Sequence, residues 1–115
     1  MSRGVIKLFI YLVAITTSSS LWAQNTINSV RVWPSPDSTR VVFDLTEKPD
    51  FSYFMLKNPS RLVVDLEQTR ELKVLPGIPP EHQIVSKLRY SKPKNKHSVR
   101  FVFELSAPVK PVVFA

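Results

Sequence analysis

Apolar and polar residues alternate in a six-residue pattern that occurs three times along the chain. Each copy consists of an arginine, three apolar residues, one acidic residue and one further apolar residue. The copies are residues 40–45, 61–66 and 100–105. Short segments rich in valine, phenylalanine and leucine, bounded by turn-forming residues, are typical of β-strands. The pattern therefore predicts a fold built around three equivalent strands.

The charges within each copy lie on one face of the predicted strand. Alternate side chains of a strand share a face, so Arg40, Val42 and Asp44 point the same way. Four residues of strand span about 13 Å, which is too far for this arginine and this acid to pair within their own strand. They can pair only with a neighbouring strand. Such charges fix the register of a sheet and oppose aggregation; a ligand-binding role is the alternative.

Apolar runs between turn-forming segments predict four further strands, at residues 27–33, 51–56, 84–90 and 109–114. The second of these is apolar nearly throughout, so we expect it to be covered. Loops of four or five residues between the first four strands predict an antiparallel meander. Residues 68–71 are compatible with one helical turn. The proline-rich segment 67–83 is predicted to carry the chain to a second sheet.

The second half of the chain repeats the first. Val30-Arg31 corresponds to Leu88-Arg89, 58 residues later, and residues 40–45 correspond to 100–105, 60 residues later. This duplication predicts an all-β sandwich of two similar antiparallel sheets, one copy in each. The second copy contains no counterpart of residues 61–66, so the last strand is missing. Either the fold is asymmetric or the sequence is cut from a longer protein, and we favour truncation.

The first 23 residues have the features of a secretory signal peptide. Arg3 and Lys7 precede the apolar run 8–15, and small polar residues lead to a predicted cleavage site after Ala23. The run is shorter than the roughly 20 apolar residues that a membrane span requires; a retained anchor is the weaker alternative. We expect residues 24–115 to form an exported domain without a stable membrane anchor.

Composition and charge limit the kinds of site and the classes of partner that the domain can have. The chain contains no cysteine, which excludes disulfides and thiolate metal sites. Its net charge is +7, and +5 without residues 1–23, so its partners are anionic: wall polymers, lipid headgroups or nucleic acid. Nucleic acid is disfavoured because Tyr90 is the only aromatic residue near the basic segment 87–100. His82 and His97 fall in predicted loops and cannot supply a three-ligand zinc site. We therefore predict a non-enzymatic chain.

Several of these segments resemble an AMIN domain. They are residues 30–31, 39–45 and 58–66, with their echoes at 88–89 and 100–105. The run Asn-Pro-Ser-Arg-Leu-Val-Val-Asp-Leu is the most specific part, and the resemblance covers nearly all of residues 27–115. The opening Arg-Val-Trp-Pro-Ser-Pro-Asp resembles that of exported N-acetylmuramoyl-L-alanine amidases of Gram-negative bacteria. The resemblance implies a non-catalytic β-sandwich that binds peptidoglycan and helps bring a zinc amidase to the division septum.

The same resemblance implies a periplasmic location, with peptidoglycan and division-site proteins as partners. In that family a zinc-dependent catalytic domain follows the AMIN domain, and this chain has no matching positions. We therefore expect no cofactor here and carry over no catalytic residue. Related domains occur in type IV pilus secretins. An interaction module of a secretin or of another envelope assembly is thus the alternative function.

Six residues are candidates for contact with peptidoglycan: Arg31, Trp33, Arg89, Tyr90, Lys92 and Lys94. The duplication pairs the two arginines, and the two aromatic residues follow them at nearly equivalent positions. The two lysines belong to the densest cluster of basic residues in the chain. The alternatives are core packing for the tryptophan and a solvated hairpin tip for the basic cluster.

Overall fold

The computed structural model describes residues 6–14, 25–72, 74–79 and 84–115. These residues form nine strands and no helix. The strands are β1 (Lys7–Ala14), β2 (Asn25–Pro34), β3 (Ser38–Leu45), β4 (Phe51–Leu56), β5 (Arg61–Glu67), β6 (Thr69–Arg70), β7 (Val85–Ser91), β8 (Ser98–Leu105) and β9 (Lys110–Phe114). The prediction of an all-β fold is confirmed. Within these described ranges there is accordingly no helix that could cross a membrane.

The strands form two sheets. The five-stranded sheet has the order β6-β2-β3-β1-β9, and the four-stranded sheet has the order β4-β5-β8-β7. All neighbours in the four-stranded sheet are antiparallel. In the five-stranded sheet β2 and β3 are antiparallel, whereas β1 runs parallel to both β3 and β9. The two-sheet arrangement agrees with the sequence prediction, but the prediction that both sheets are antiparallel is wrong. Strand β1, which lies in the predicted signal peptide, pairs in parallel with β3 and β9.

The two copies of the repeat exchange strands between the sheets. The first copy places β2 and β3 in the five-stranded sheet and β4 and β5 in the other; the second copy does the reverse with β7, β8 and β9. The predictions of one copy per sheet and of a four-strand meander are therefore wrong. The chain crosses between sheets just before β4 and β9, at Pro49 and Pro108. Proline lacks the amide hydrogen that would continue a ladder, so each repeat breaks there.

Two smaller predictions about connections are also wrong. Residues 68–71 form no helical turn, because Thr69 and Arg70 pair with the start of β2 as a short parallel strand. The chain leaves β5 of the four-stranded sheet, adds β6 to the five-stranded sheet and then returns to the four-stranded sheet at β7. The strand after the proline-rich segment therefore lies in the same sheet as β5, and not in a second sheet as predicted.

The core lies between the inner faces of the two sheets. Phe43 of β3 contacts two rings of β8, with centroids 4.7 Å from Phe101 and 6.2 Å from Phe103. All three side chains are fully buried. The edge-to-face arrangement of these rings is one that aromatic pairs favour. The repeated hexapeptides thus place their aromatic residues against each other across the sandwich.

Strand β4 is less covered than its composition predicted. It lies at the edge of the four-stranded sheet, and Tyr53 and Phe54 are each about two-fifths exposed. An apolar run indicates a strand, but it does not determine whether the strand is central or at an edge. The prediction of a covered strand is therefore wrong. One consequence is an exposed aromatic ring on the outer face of this sheet.

Candidate functional site

The outer face of the five-stranded sheet carries an arginine stacked on a tryptophan. Arg31 and Trp33 are alternate residues of β2, and both point away from the core. The guanidinium carbon of Arg31 lies 5.1 Å from the centre of the Trp33 ring, within the range of a cation–π contact. Trp33 is 49% exposed, more than any other aromatic residue that the structure describes. The prediction of core packing, weighed as the alternative for this residue, does not hold.

Asp44 of β3 holds this arginine in place. Arg31 Nη2 lies 3.1 Å from Asp44 Oδ1 and 3.0 Å from Asp44 Oδ2. The Ser29 hydroxyl also donates to Asp44 Oδ2, at 2.6 Å. A carboxylate that accepts from both groups fixes the guanidinium above the ring. We call Ser29, Arg31, Trp33 and Asp44 the Trp33 face.

The four-stranded sheet contains the equivalent ion pair. Arg89 Nε lies 2.7 Å from Glu104 Oε2, and this hydrogen bond lowers the pKa of Glu104 below its usual value. Arg89 is opposite Val102 in the same way that Arg31 is opposite Val42, so the duplication does pair the two arginines. They nevertheless lie on the outer faces of different sheets. One ligand cannot reach both across the sandwich core.

Tyr90 points inward. Its ring centroid lies 5.0 Å from that of Phe101, and its hydroxyl donates to the Leu72 carbonyl at 2.7 Å and accepts from the Leu72 amide at 2.6 Å. Burial, only partly offset by this backbone hydrogen bond, raises the pKa of Tyr90 to about 12. The strand register makes Tyr90 the counterpart of Val32, whereas Ser91 is the counterpart of Trp33. The predicted equivalence of the two aromatic residues is therefore wrong.

Replacing Tyr90 with phenylalanine is expected to lower the free energy of unfolding by about 1–3 kcal/mol, because two backbone groups of Leu72 lose their partner. The folded state raises this pKa, so the phenol stabilises the fold fully below pH 10. That contribution is lost as the pH rises towards about 12. Urea unfolding of both proteins at pH 8, 10 and 11.5 should show the difference shrinking over this window. A difference that stays constant with pH would contradict the assignment.

The two candidate lysines lie in the turn between β7 and β8. Lys94 Nζ is 2.6 Å from Glu67 Oε2, and this contact lowers the pKa of Glu67 and raises that of Lys94. Lys94 therefore ties the turn to the end of β5. Lys92 is exposed. Of the six predicted residues, Arg31 and Trp33 stack on each other, whereas the side chains of Arg89, Tyr90 and Lys94 each contact a residue outside the set.

A second arginine–aromatic stack was missed by the sequence analysis. Arg100 lies over the ring of Phe54, 5.5 Å from its centre, on the outer face of the four-stranded sheet. The same arginine forms two hydrogen bonds with Asp65 of β5. The prediction that the repeated charges pair only across strands is confirmed by this contact. The sequence analysis did not identify this stack because it predicted that β4, which carries Phe54, is covered.

Residues that could hold a metal ion are not grouped in the described ranges. No set of three or more His, Asp or Glu side chains comes together there. His97 lies exposed in the turn between β7 and β8, and His82 lies outside the described residues.

Comparison with known proteins shows the family of the chain. A family model of the AMIN domain matches residues 29–115. The chain belongs to the AMIN domain family. It is 36% identical over 100 residues to an N-acetylmuramoyl-L-alanine amidase AmiC of Escherichia coli O6:H1, covering 84% of the chain and 24% of that protein. It is 31% identical over 91 residues to the AmiC of Neisseria meningitidis serogroup B, covering 76% of the chain and 22% of that protein.

The chain corresponds to only part of each of these relatives. The chain spans about a quarter of the length of each amidase and is homologous to their N-terminal region. The resemblance inferred from the repeated hexapeptides is thereby confirmed at the level of the family.

Proposed function

We propose that this AMIN domain is a non-catalytic module that binds peptidoglycan. It serves an exported N-acetylmuramoyl-L-alanine amidase, a zinc-dependent hydrolase acting in the periplasm at the division septum. Support comes from the family and from the two amidase relatives. The signal-peptide pattern of residues 1–23 fits such a location. Catalysis and zinc belong to the part of such an amidase beyond this domain.

The observation that carries this proposal is the Trp33 face. An exposed indole offers a flat apolar surface on which the C–H face of a sugar ring can stack. Arg31 lies over one side of the ring, and Asp44 and Ser29, further along the same face, hold Arg31 in position through their mutual contacts. Ligand-binding sites in proteins combine aromatic and apolar surface with a small number of polar groups that fix the orientation of the ligand. Peptidoglycan offers such sugar faces in long repeats.

The charge of the domain supports the same ligand. Residues 24–115 carry a net charge of +5, and peptidoglycan bears carboxylates on its peptides and on muramyl groups that carry no peptide. Long-range attraction of this kind raises the encounter rate with an anionic polymer. It does not by itself distinguish a specific site from nonspecific adhesion. Salt dependence separates the two.

Replacing Trp33 with alanine is expected to weaken binding to purified sacculi by about tenfold or more. The reason is that the substitution removes the only exposed indole that the structure describes. Co-sedimentation across a salt series measures this, with about 0.3 M salt as the decisive condition because exposed charges are then largely screened. Arg31→Ala should weaken binding in the same direction, since the stack on the ring is lost.

Tyr53→Ala is the matched control, because Tyr53 is an exposed aromatic residue on the other sheet. Arg89→Ala, alone and combined with Arg31→Ala, shows whether the two equivalent ion pairs contribute alike. Thermal melts establish that each variant is folded. If Trp33→Ala and Arg31→Ala pellet with sacculi as the unchanged chain does at 0.3 M salt, this assignment of the site is wrong.

A further inference from the structure

In the described residues the two sheets have four edges, and three of these edges are protected against a further strand. Strand β6 is only two residues long, and β9 contains Pro111, which has no amide hydrogen to donate. Strand β7 carries Lys87 and Arg89 and is bulged near its start. Short edge strands, prolines, bulges and charged side chains are the features by which proteins prevent edge-to-edge pairing.

Strand β4 has none of these protective features. It forms the remaining edge, and its residues Phe51–Leu56 include no charged residue, proline or glycine. Its pairing with β5 is regular along the whole strand. Tyr53 and Phe54 are both exposed. A regular, apolar and exposed edge of this kind is a site at which another strand can pair.

The backbone groups on the open side of β4 follow from its hydrogen bonds to β5. The Glu67 amide donates to the Asp50 carbonyl at 2.9 Å, one residue before β4 begins. Hydrogen-bonded and non-hydrogen-bonded pairs alternate along an antiparallel ladder, so every second residue from Asp50 onwards bonds to β5. The residues between them direct their N–H and C=O groups to the open side, where the described part of the chain places no strand. These residues are Phe51, Tyr53 and Met55.

The space beside β4 is also open on the core side of the sheet. Tyr53 is opposite Val64 of β5, which is fully buried, and opposite residues of a ladder share a face. The Tyr53 ring therefore points to the core side, yet it is 42% exposed. A strand added at this edge would continue the four-stranded sheet and cover the ring.

A second copy of β4 fits this edge in one antiparallel register, with Tyr53 opposite Tyr53 of the other copy. Phe51 is then opposite Met55, and all the N–H and C=O groups on the open side gain partners. A shift of two residues in either direction would place one of these residues opposite Lys57 or opposite Pro49, which has no amide hydrogen. A shift of one residue would turn the core sides of the two copies to opposite faces.

The charges at the two ends of β4 favour the antiparallel direction. Asp50 immediately precedes the strand and Lys57 immediately follows it, and both are exposed. In an antiparallel pair each acid lies beside the lysine of the other copy. A parallel pair would bring like charges together at both ends, which is unfavourable.

We propose that the open edge of β4 is a homodimer interface, and that its occupant is β4 of a second copy of this chain. A two-fold axis passes between the two Tyr53 residues, and the two four-stranded sheets join into one continuous sheet. Such a contact is closed, because each copy uses its unprotected edge and pairing stops at two copies. The inference is independent of wall binding, since the Trp33 face lies on the other sheet and stays exposed in both copies.

Sedimentation equilibrium of the full chain at concentrations from about 1 µM to 1 mM tests the interface. We expect a reversible equilibrium between monomer and dimer, without larger species. Tyr53→Lys places two positive charges against each other across the axis, so the dissociation constant should rise by about tenfold or more. Trp33→Lys is the matched control, because it changes an exposed aromatic residue of the other sheet in the same way, and it should dimerise as the unchanged chain does.

A chain that stays monomeric throughout this range would overturn the proposal, and so would an unchanged dissociation constant in Tyr53→Lys. The same two variants separate the dimer from wall binding. Trp33→Lys should lose sacculus binding and keep the dimer. Tyr53→Lys should lose the dimer and keep the sacculus binding that the unchanged chain shows at concentrations where it is monomeric.

An exchange of charges tests the antiparallel direction. Asp50→Lys and Lys57→Asp each place like charges at both ends of the pair, so each variant alone should dimerise more weakly than the unchanged chain. Mixed together they place opposite charges at both ends, and the mixed dimer should form about fivefold more tightly than either variant dimer at low salt. Fluorescence energy transfer between donor-labelled and acceptor-labelled variants measures this preference.

A mixture of Asp37→Lys and Lys96→Asp is the matched control for this exchange. Both residues are exposed and lie outside β4, and the two substitutions change the net charge by the same amounts. This control mixture should show no preference for the mixed dimer. If the Asp50→Lys and Lys57→Asp mixture shows no greater preference than the control, β4 does not pair antiparallel with itself.

The register can be trapped covalently because the chain contains no cysteine. In the proposed dimer Ser52 of one copy is opposite Phe54 of the other, in a non-hydrogen-bonded pair with a Cα separation of about 4.5 Å, which a disulfide can span. A mixture of Ser52→Cys and Phe54→Cys should therefore cross-link on oxidation. Each variant alone should not, because its two cysteines are diagonal neighbours about 7–8 Å apart. Equal cross-linking of the mixture and of the single variants would rule out this register.

Discussion

Replacing Phe43 with alanine is expected to lower the free energy of unfolding by about 3–5 kcal/mol. The ring is fully buried and touches Phe101 and Phe103 of the opposite sheet. Alanine would leave a cavity between the two sheets that neither rigid strand can close. The free energy of unfolding of a domain of this size is roughly 5–15 kcal/mol, so the substitution would remove much of its stability. Urea unfolding followed by intrinsic fluorescence measures the change.

Phe54→Ala is the matched control for this experiment, because it removes the same atoms from a ring that is 41% exposed. Exposed positions away from special features usually change stability by roughly 0.5 kcal/mol or less. The Phe54 ring also contacts Arg100, so a somewhat larger effect, up to about 1 kcal/mol, is consistent with its position. Similar losses for Phe43→Ala and Phe54→Ala would mean that the sheets do not pack as described.

Replacing Asp65 with alanine is expected to lower the free energy of unfolding by about 2–4 kcal/mol. Its side chain is 3% exposed and accepts two hydrogen bonds from Arg100, whose side chain is 26% exposed. These bonds raise the pKa of the arginine, so the folded state holds it charged. Removing the acid leaves that charge partly buried without a partner, which is more costly than the pair is stabilising.

Removing the acid of the exposed ion pair Arg89–Glu104 provides the comparison for Asp65→Ala. Glu104→Ala removes the partner of Arg89, and both side chains of that pair are more than a third exposed. Surface pairs of this kind contribute roughly 0–1 kcal/mol. Arg100→Met combined with Asp65→Ala should recover part of the loss, because no charge is then left unpaired. If Asp65→Ala lowers the free energy of unfolding no more than Glu104→Ala does, the pair of Asp65 and Arg100 is not a stabilising contact.

The amino-acid sequence by itself determined seven of the nine described strands, β2 to β5 and β7 to β9, and the positions of their charges. Every strand predicted from the apolar runs is present, with ends shifted by at most two residues. Period-two alternation is a local property that neighbouring residues impose on each other, so it can be read without knowing the fold. The same alternation put Arg31 and Trp33 on one face. It could also have placed Tyr90 inward, because Tyr90 directly follows the outward-pointing Arg89.

Only the tertiary structure decided which strands pair and which of them are edges. The repeats determine two similar hairpins, but local pattern cannot decide whether a hairpin stays in one sheet or shares its strands between two. That choice depends on contacts between residues far apart in the sequence, such as Phe43 against Phe103, which are 60 residues apart, and Asp65 against Arg100, which are 35 residues apart. The pairing of the strands placed Arg31 and Arg89 in different sheets, and it left Phe54 exposed on an edge strand. It also placed Lys7–Ala14 between β3 and β9, because burial of alternating apolar side chains does not depend on strand direction.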